Sequence, residues 1–162
     1  KKFKIVVMLR DPLSHAASLL KQHNGFIHQQ QKDAFVLEYM NWLGHHEFGS
    51  NQKAFCFNSS HSIKETDNSK LEYWLEVWLN YYTYLLSIDL SSVIIMDYES
   101  YCKSPVEHLN FVLNQFDMER VKDSISSFDS IKSDNTDCSE SLLASAQKVY
   151  EELKQKAILI QR

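Results

Sequence analysis

Glycine, proline and cysteine are scarce in this chain, with three, two and three among 162 residues. The three glycines, Gly25, Gly44 and Gly49, stand in no glycine-rich loop carrying a Lys or Arg at a helix start, so a phosphate-gripping loop of that kind is absent from the sequence. Cys56, Cys102 and Cys138 are odd in number and far apart. They fit neither a disulfide framework nor a zinc pattern, and a reducing, cytoplasmic setting is the expectation. No apolar run approaches the ~20 residues of a membrane span, and no secretory leader is visible. Excess positive charge is lacking too: a formal net charge of −4 argues against general nucleic-acid binding.

What is present suits one globular α/β domain over residues 1–162. A hydrophobic content of 44% is enough for a core, and nine Phe, eight Tyr and three Trp supply large packing surfaces or the walls of a hydrophobic pocket. Lys4–Leu9 and Val93–Tyr98 are near-continuous apolar runs, the pattern of strands buried on both faces of a parallel sheet. The helical segment between them is long enough for a parallel crossover, so the two runs are expected side by side and parallel, with helices on both faces. Helices are predicted over Pro12–His23, Ala34–Phe48 and Leu71–Leu86, the last with Leu71, Trp74, Leu75, Trp78, Tyr82, Leu85 and Leu86 on one apolar face. Ser104-Pro-Val-Glu107 reads as a capping box opening a helix that buries Leu109, Val112, Leu113 and Phe116. A short helix over Glu119–Phe128 and a closing helix over Leu142–Ile160 complete the expectation. Gly25–Lys32, Asn51–Ser69 and Asp129–Ser141 read as polar connections.

The first strand ends abruptly in Arg10. Asp11 is a natural N-cap and Pro12 a natural first helical residue. A cation delivered beside unpaired helix N–H groups is well placed to hold a phosphate. In the helix, Leu13, Ala16, Ala17 and Leu20 share an apolar stripe, while Ser14, Ser18 and Lys21 share the polar side. Side chains on a helix lean toward its N-terminus, so Ser18 can point back toward Arg10.

Arg10-Asp-Pro followed by Ser18, after an apolar strand, resembles the 3′-phosphate-binding segment of sulfotransferases that use 3′-phosphoadenosine 5′-phosphosulfate (PAPS). Tyr73-Trp-Leu-Glu-Val-Trp78 resembles that family's tryptophan-bearing helix, and Val93-Ile-Ile-Met-Asp-Tyr-Glu99 its strand ending in Tyr-Glu. Ser104-Pro105 stands where the family usually has Asp-Pro, and Val36–Gly49 is similar to a segment of bacterial members. The likeness runs from Lys2 to about Phe128. It implies a P-loop-NTPase-like sulfotransferase fold, a parallel sheet flanked by helices. It also implies that this sequence is the later part of the domain, truncated on its N-terminal side, without the loop that grips the 5′-phosphosulfate. The implied activity is transfer of a sulfuryl group from PAPS, as co-substrate and without a metal, to a hydroxyl or amine.

By the same resemblance Arg10 and Ser18 bind the nucleotide 3′-phosphate. Many members add an Arg-Lys-Gly loop to that phosphate. Here the matching stretch is Ser130-Ile-Lys-Ser133, and Lys132 is the basic residue available. His45 and His46, at the end of an aromatic segment, are candidates for lining an acceptor pocket, with packing as the alternative. The acceptor's class (small molecule, lipid, glycan or protein) is open, and no catalytic base is assigned. Two other classes stand beside this one: a non-catalytic sulfotransferase-like domain that binds a protein, and part of another P-loop-fold transferase such as a small-molecule kinase.

Overall fold

A computed structural model describes residues 4–57, 63, 67–122, 125–133 and 136–158. The elements run β1 (Ile5–Leu9), α1 (Pro12–Lys32), α2 (Ala34–Trp42), α3 (Leu71–Ser87), β2 (Val93–Asp97), α4 (Tyr98–Lys103), α5 (Pro105–Gln115) and α6 (Glu140–Lys156). The chain is α/β and mostly helical. The two strands pair in parallel, with Ile5 opposite Val93 and Leu9 opposite Asp97, as their apolar runs led us to expect.

Backbone polarity alternates along a parallel ladder, so each strand has an inner and an outer set of groups. The Ile5 N–H donates to the Ser92 carbonyl at 2.9 Å, which turns the backbone of Val6 and Met8 away from β2. On that outer edge the Met8 carbonyl accepts the Tyr82 hydroxyl at 2.8 Å. At the opposite edge of the sheet, the Ile158 N–H donates to the Ile95 carbonyl at 3.0 Å, just beyond the end of α6.

One contiguous core forms from the strands and three helices. Leu9 and Ile95 meet Ala16 of α1, the Leu71–Trp74–Leu75–Trp78–Tyr82–Leu85 face of α3, and Ala146, Tyr150 and Leu153 of α6. The aromatic face of α3 packs as its spacing predicts. β1 differs from expectation: Val6 and Met8, on the other face, are each 38% exposed. Among the described residues no helix is long and apolar enough to cross a membrane.

Several helix limits depart from the sequence reading, each for a local reason. α1 runs on through Gly25 and the glutamines to Lys32 rather than stopping at His23. Its second half is held by tertiary bonds: His23 Nδ1 accepts the Gly49 N–H at 3.2 Å, and Gln30 Oε1 accepts the Ser50 N–H at 2.8 Å. α2 ends at Trp42 instead of Phe48, because Gly44 takes a φ of +69° that a helix cannot continue. β2 gives way to the unforeseen α4, capped by Asp97, whose Oδ1 accepts the Ser100 N–H at 2.8 Å.

At the Ser104-Pro-Val-Glu107 stretch no side-chain capping bond forms. The Ser104 carbonyl instead accepts both the N–H and Nδ1 of His108. α5 buries Pro105 and His108, while Leu109, Val112 and Leu113 are half-buried and Phe116 exposed. Asp117 ends it at a φ of +54°. No helix occurs among the described residues of 119–128. α6 begins two residues early and ends at Lys156; Ala157 is already extended.

Candidate functional site

Three elements converge at the C-terminal end of β1. The strand delivers Arg10. Asp11 caps α1, its Oδ1 accepting the Ser14 N–H at 2.9 Å, and Pro12 opens the helix. Ser14, Ser18 and Lys21 then line one side of a cavity of about 530 Å³, with Tyr98 and Lys132 on its other walls. Their spacing along one helical face was visible in the sequence. Arg10, Ser18 and Lys132 all line this one cavity.

The guanidinium is oriented by neutral groups. Arg10 Nη1 donates to Ser18 Oγ at 2.8 Å, and Ser18 in turn donates to the Ser14 carbonyl at 3.0 Å. Arg10 Nη2 donates to the Ile131 carbonyl at 2.8 Å, while its Nε is buried without a partner. The Tyr98 ring lies 4.9 Å from the guanidinium carbon, a cation–π distance. The Ser133 N–H donates to Ser14 Oγ at 3.2 Å, so the 129–133 segment is tied to both α1 and Arg10.

The carboxylates nearest in sequence are engaged elsewhere. Glu99 accepts the Asp11 N–H at 3.4 Å and the Tyr150 hydroxyl at 3.3 Å, and Asp97 accepts the same hydroxyl at 3.3 Å. Burial first, then the charges of Glu99 and Asp97, push the Tyr150 phenol well above its usual range, so it stays protonated as their donor. Glu99 thus receives backbone and tyrosine bonds. Among the described residues Arg10 makes no ion pair with a carboxylate. Arg10, Lys21 and Lys132 face the cavity, with Asp129 the one acidic lining residue among those described. Such an imbalance favours an anion.

His15 sits on the opposite side of the same helix. Burial, then the Arg10 charge, push its imidazole down to about 4, and it is neutral above that. His45 and His46 lie elsewhere. His45 is exposed, with Nδ1 3.1 Å from Glu47 Oε1, and that bond lowers the Glu47 carboxyl. His46 holds the Lys53 N–H on its carbonyl at 2.8 Å. Neither histidine lines the Arg10 cavity. Trp42, of the same aromatic segment, is 71% exposed and packs edge-on against Phe35.

Sequence reasoning set Lys21 on the polar face without giving it a role, and it passed over the Tyr98 ring and the Ile131 carbonyl as parts of the site. Lys21 had a signal, since it shares a helical face with Ser14 and Ser18. The Ile131 contact had none, because it spans 121 residues through a backbone atom. Among the described residues no cluster of three or more His, Cys, Asp or Glu side chains could hold a metal ion. A scan against protein-family models, a search of curated proteins and a search of solved structures each return no match.

Proposed function

We propose that this chain is part of a PAPS-dependent sulfotransferase and that the cavity at the start of α1 receives the nucleotide's 3′-phosphate. The observation that supports the reading best is the Arg10–Ser18 bond at 2.8 Å, in a cavity where the arginine has no carboxylate partner among the described residues. A phosphate entering there meets a guanidinium fork and two serine hydroxyls, with Lys21 and Lys132 at the cavity wall. The parallel pairing of β1 and β2 and the place of Arg10 at a strand end fit a P-loop-type sheet, which binds ligands outside the carboxyl ends of its strands.

In this reading Arg10 and Ser18 position the nucleotide and do not take part in bond-making. Transfer of the sulfuryl group needs donor and acceptor aligned and charge on the moving group stabilised. Those contacts fall outside the residues assigned here. The acceptor is a hydroxyl or amine compound.

The test is a titration of the protein with adenosine 3′,5′-bisphosphate, AMP and ATP. The bisphosphate should bind at least about tenfold more tightly than AMP, equivalent to ~1.4 kcal/mol. That preference should disappear in Arg10→Ala. A preference for ATP over the bisphosphate would support the kinase-like alternative, and equal affinities for the bisphosphate and AMP, unchanged in Arg10→Ala, would overturn the 3′-phosphate reading.

A further inference from the structure

Lys21 lines the Arg10 cavity from α1 and makes no hydrogen bond or ion pair among the described residues. We propose that Lys21 supplies the second positive charge with which this cavity selects a doubly charged phosphate monoester over a singly charged phosphodiester. The inference rests on the reading of the cavity as a phosphate site, and it assigns the charge state of the group taken there and the residue that sets it.

α1 fixes where the ammonium can act. Ser14, Ser18 and Lys21 share one helical face, and Lys21 lies ~4.5 Å beyond Ser18 along the axis, at about 1.5 Å per residue. A helical side chain leans back over the residues three and four before it. For Lys21 these are Ser18 and Ala17, and both line the cavity. The single methyl group of Ala17 leaves that strip open for the four-carbon lysine stem. Nothing on the helix draws the ammonium elsewhere. From Pro12 to Lys32 α1 has no Asp or Glu, so no counter-ion stands at helical spacing.

The lining charges match a dianion. Arg10, Lys21 and Lys132 are cationic, and Asp129 is the one acidic lining residue among those described. Asp129 shares the 129–133 segment with Lys132, so their charges offset each other in the field that a bound anion meets. Arg10 and Lys21 remain, on separate elements. Arg10 alone is a poor match for two charges, since its fork already gives one N–H to Ser18 and one to the Ile131 carbonyl. Asp97 and Glu99 lie outside the lining, bonded to Tyr150, and His15 is neutral above about 4. A phosphate monoester carries close to two negative charges above its second pKa of about 6, whereas a diester carries one. The added charge is felt most by a second cation held beside the first.

The test is calorimetry at about pH 7.5, where the monoester is a dianion, with adenosine 3′-monophosphate and its methyl ester. The two share a nucleoside and differ by one charge. The wild-type protein should prefer the monoester by at least about tenfold. Lys21→Gln, at an exposed position and with little change in helix propensity, should keep the melting temperature and cut that preference to below about threefold, by weakening the monoester. Lys21→Arg keeps the charge and should keep the preference. Arg10→Ala should weaken both esters, because its fork meets a phosphate of either charge. The proposal is overturned, with the phosphate reading left standing, if Arg10→Ala weakens both esters while Lys21→Gln retains the wild-type preference. It is also overturned if the wild-type protein binds the two esters equally, or if Lys21→Arg loses the preference as Lys21→Gln does. If neither ester binds, or Arg10→Ala changes neither affinity, the phosphate reading itself falls and this inference with it.

Discussion

Tyr82 donates its hydroxyl to the Met8 carbonyl at 2.8 Å, so a residue of α3 holds the outer edge of β1 two positions before Arg10. The phenol is 3% exposed, and burial pushes its titration far above the usual range. It therefore stays a donor at all ordinary pH. Tyr82→Phe keeps the ring in place and leaves the Met8 carbonyl without this partner. The variant should lose about 0.5–1.5 kcal/mol of stability, the net worth of one hydrogen bond, as a lower urea midpoint at unchanged slope.

Arg10→Ala should weaken binding of adenosine 3′,5′-bisphosphate by ~1.5–3 kcal/mol, and Ser18→Ala by about 1 kcal/mol, measured by calorimetry. Neither change should alter the affinity for AMP by a comparable amount. Arg10→Lys should recover only part of the loss, because an ammonium cannot reach Ser18 and a phosphate with two parallel N–H groups. Equal losses for both nucleotides would show that the residues act through folding.

The two helix-proximal glycines should respond in opposite directions to alanine. Gly49 has a φ of +85°, and a Cβ there would come within 2.7 Å of Gln30 Oε1, a side chain already committed to the Ser50 N–H. Gly49→Ala should therefore destabilise by about 1–3 kcal/mol. Gly25 lies inside α1 with open space around the missing Cβ. Gly25→Ala should stabilise by roughly 0.5–1 kcal/mol, by removing the glycine's excess freedom in the unfolded chain. Paired thermal melts check both signs.

What the sequence disclosed was whatever repeats locally. The parallel partners Ile5–Leu9 and Val93–Asp97 were legible as unbroken apolar runs, the face of α3 as a seven-residue helical stripe, and Arg10–Ser18 as an offset of two helical turns. The far half of α1 was not legible, because its glycine and glutamines carry no apolar stripe. It is held by His23 and Gln30 reaching a turn some twenty residues away. The same holds for the site: the helical serines announced themselves, whereas the Ile131 carbonyl and the Tyr98 ring enter through tertiary placement alone. The spacing of His45 and His46 was visible, but α2 stops at Trp42, and the two histidines fall in the irregular stretch after the turn at Leu43–Gly44, away from the Arg10 cavity.

His15 should imprint a pH dependence on stability. Its folded value is lowered from about 6.5 to about 4, by burial and then by Arg10. Between those values the unfolded chain holds a proton that the folded chain does not. The stability is therefore complete above pH 6.5 and falls as pH drops toward 4, by about 3 kcal/mol in all. His23, also lowered by burial, adds to the same trend. His15→Gln should flatten the difference between unfolding free energies at pH 7 and pH 4.5. An unchanged slope would mean that the imidazole gains its proton in the folded protein as readily as in the unfolded one.

The register that places Ile5 beside Val93 has a kinetic side. Neither strand can find its partner until the intervening chain has brought their ends together, and the entropy of that closure must be met before any ladder bond repays it. α1 and α3, which pack directly on each other, shorten the effective gap once docked. Refolding should accordingly pass through helix docking first and strand pairing last, with the end of β1, and Arg10 on it, among the final parts of the molecule to reach its place.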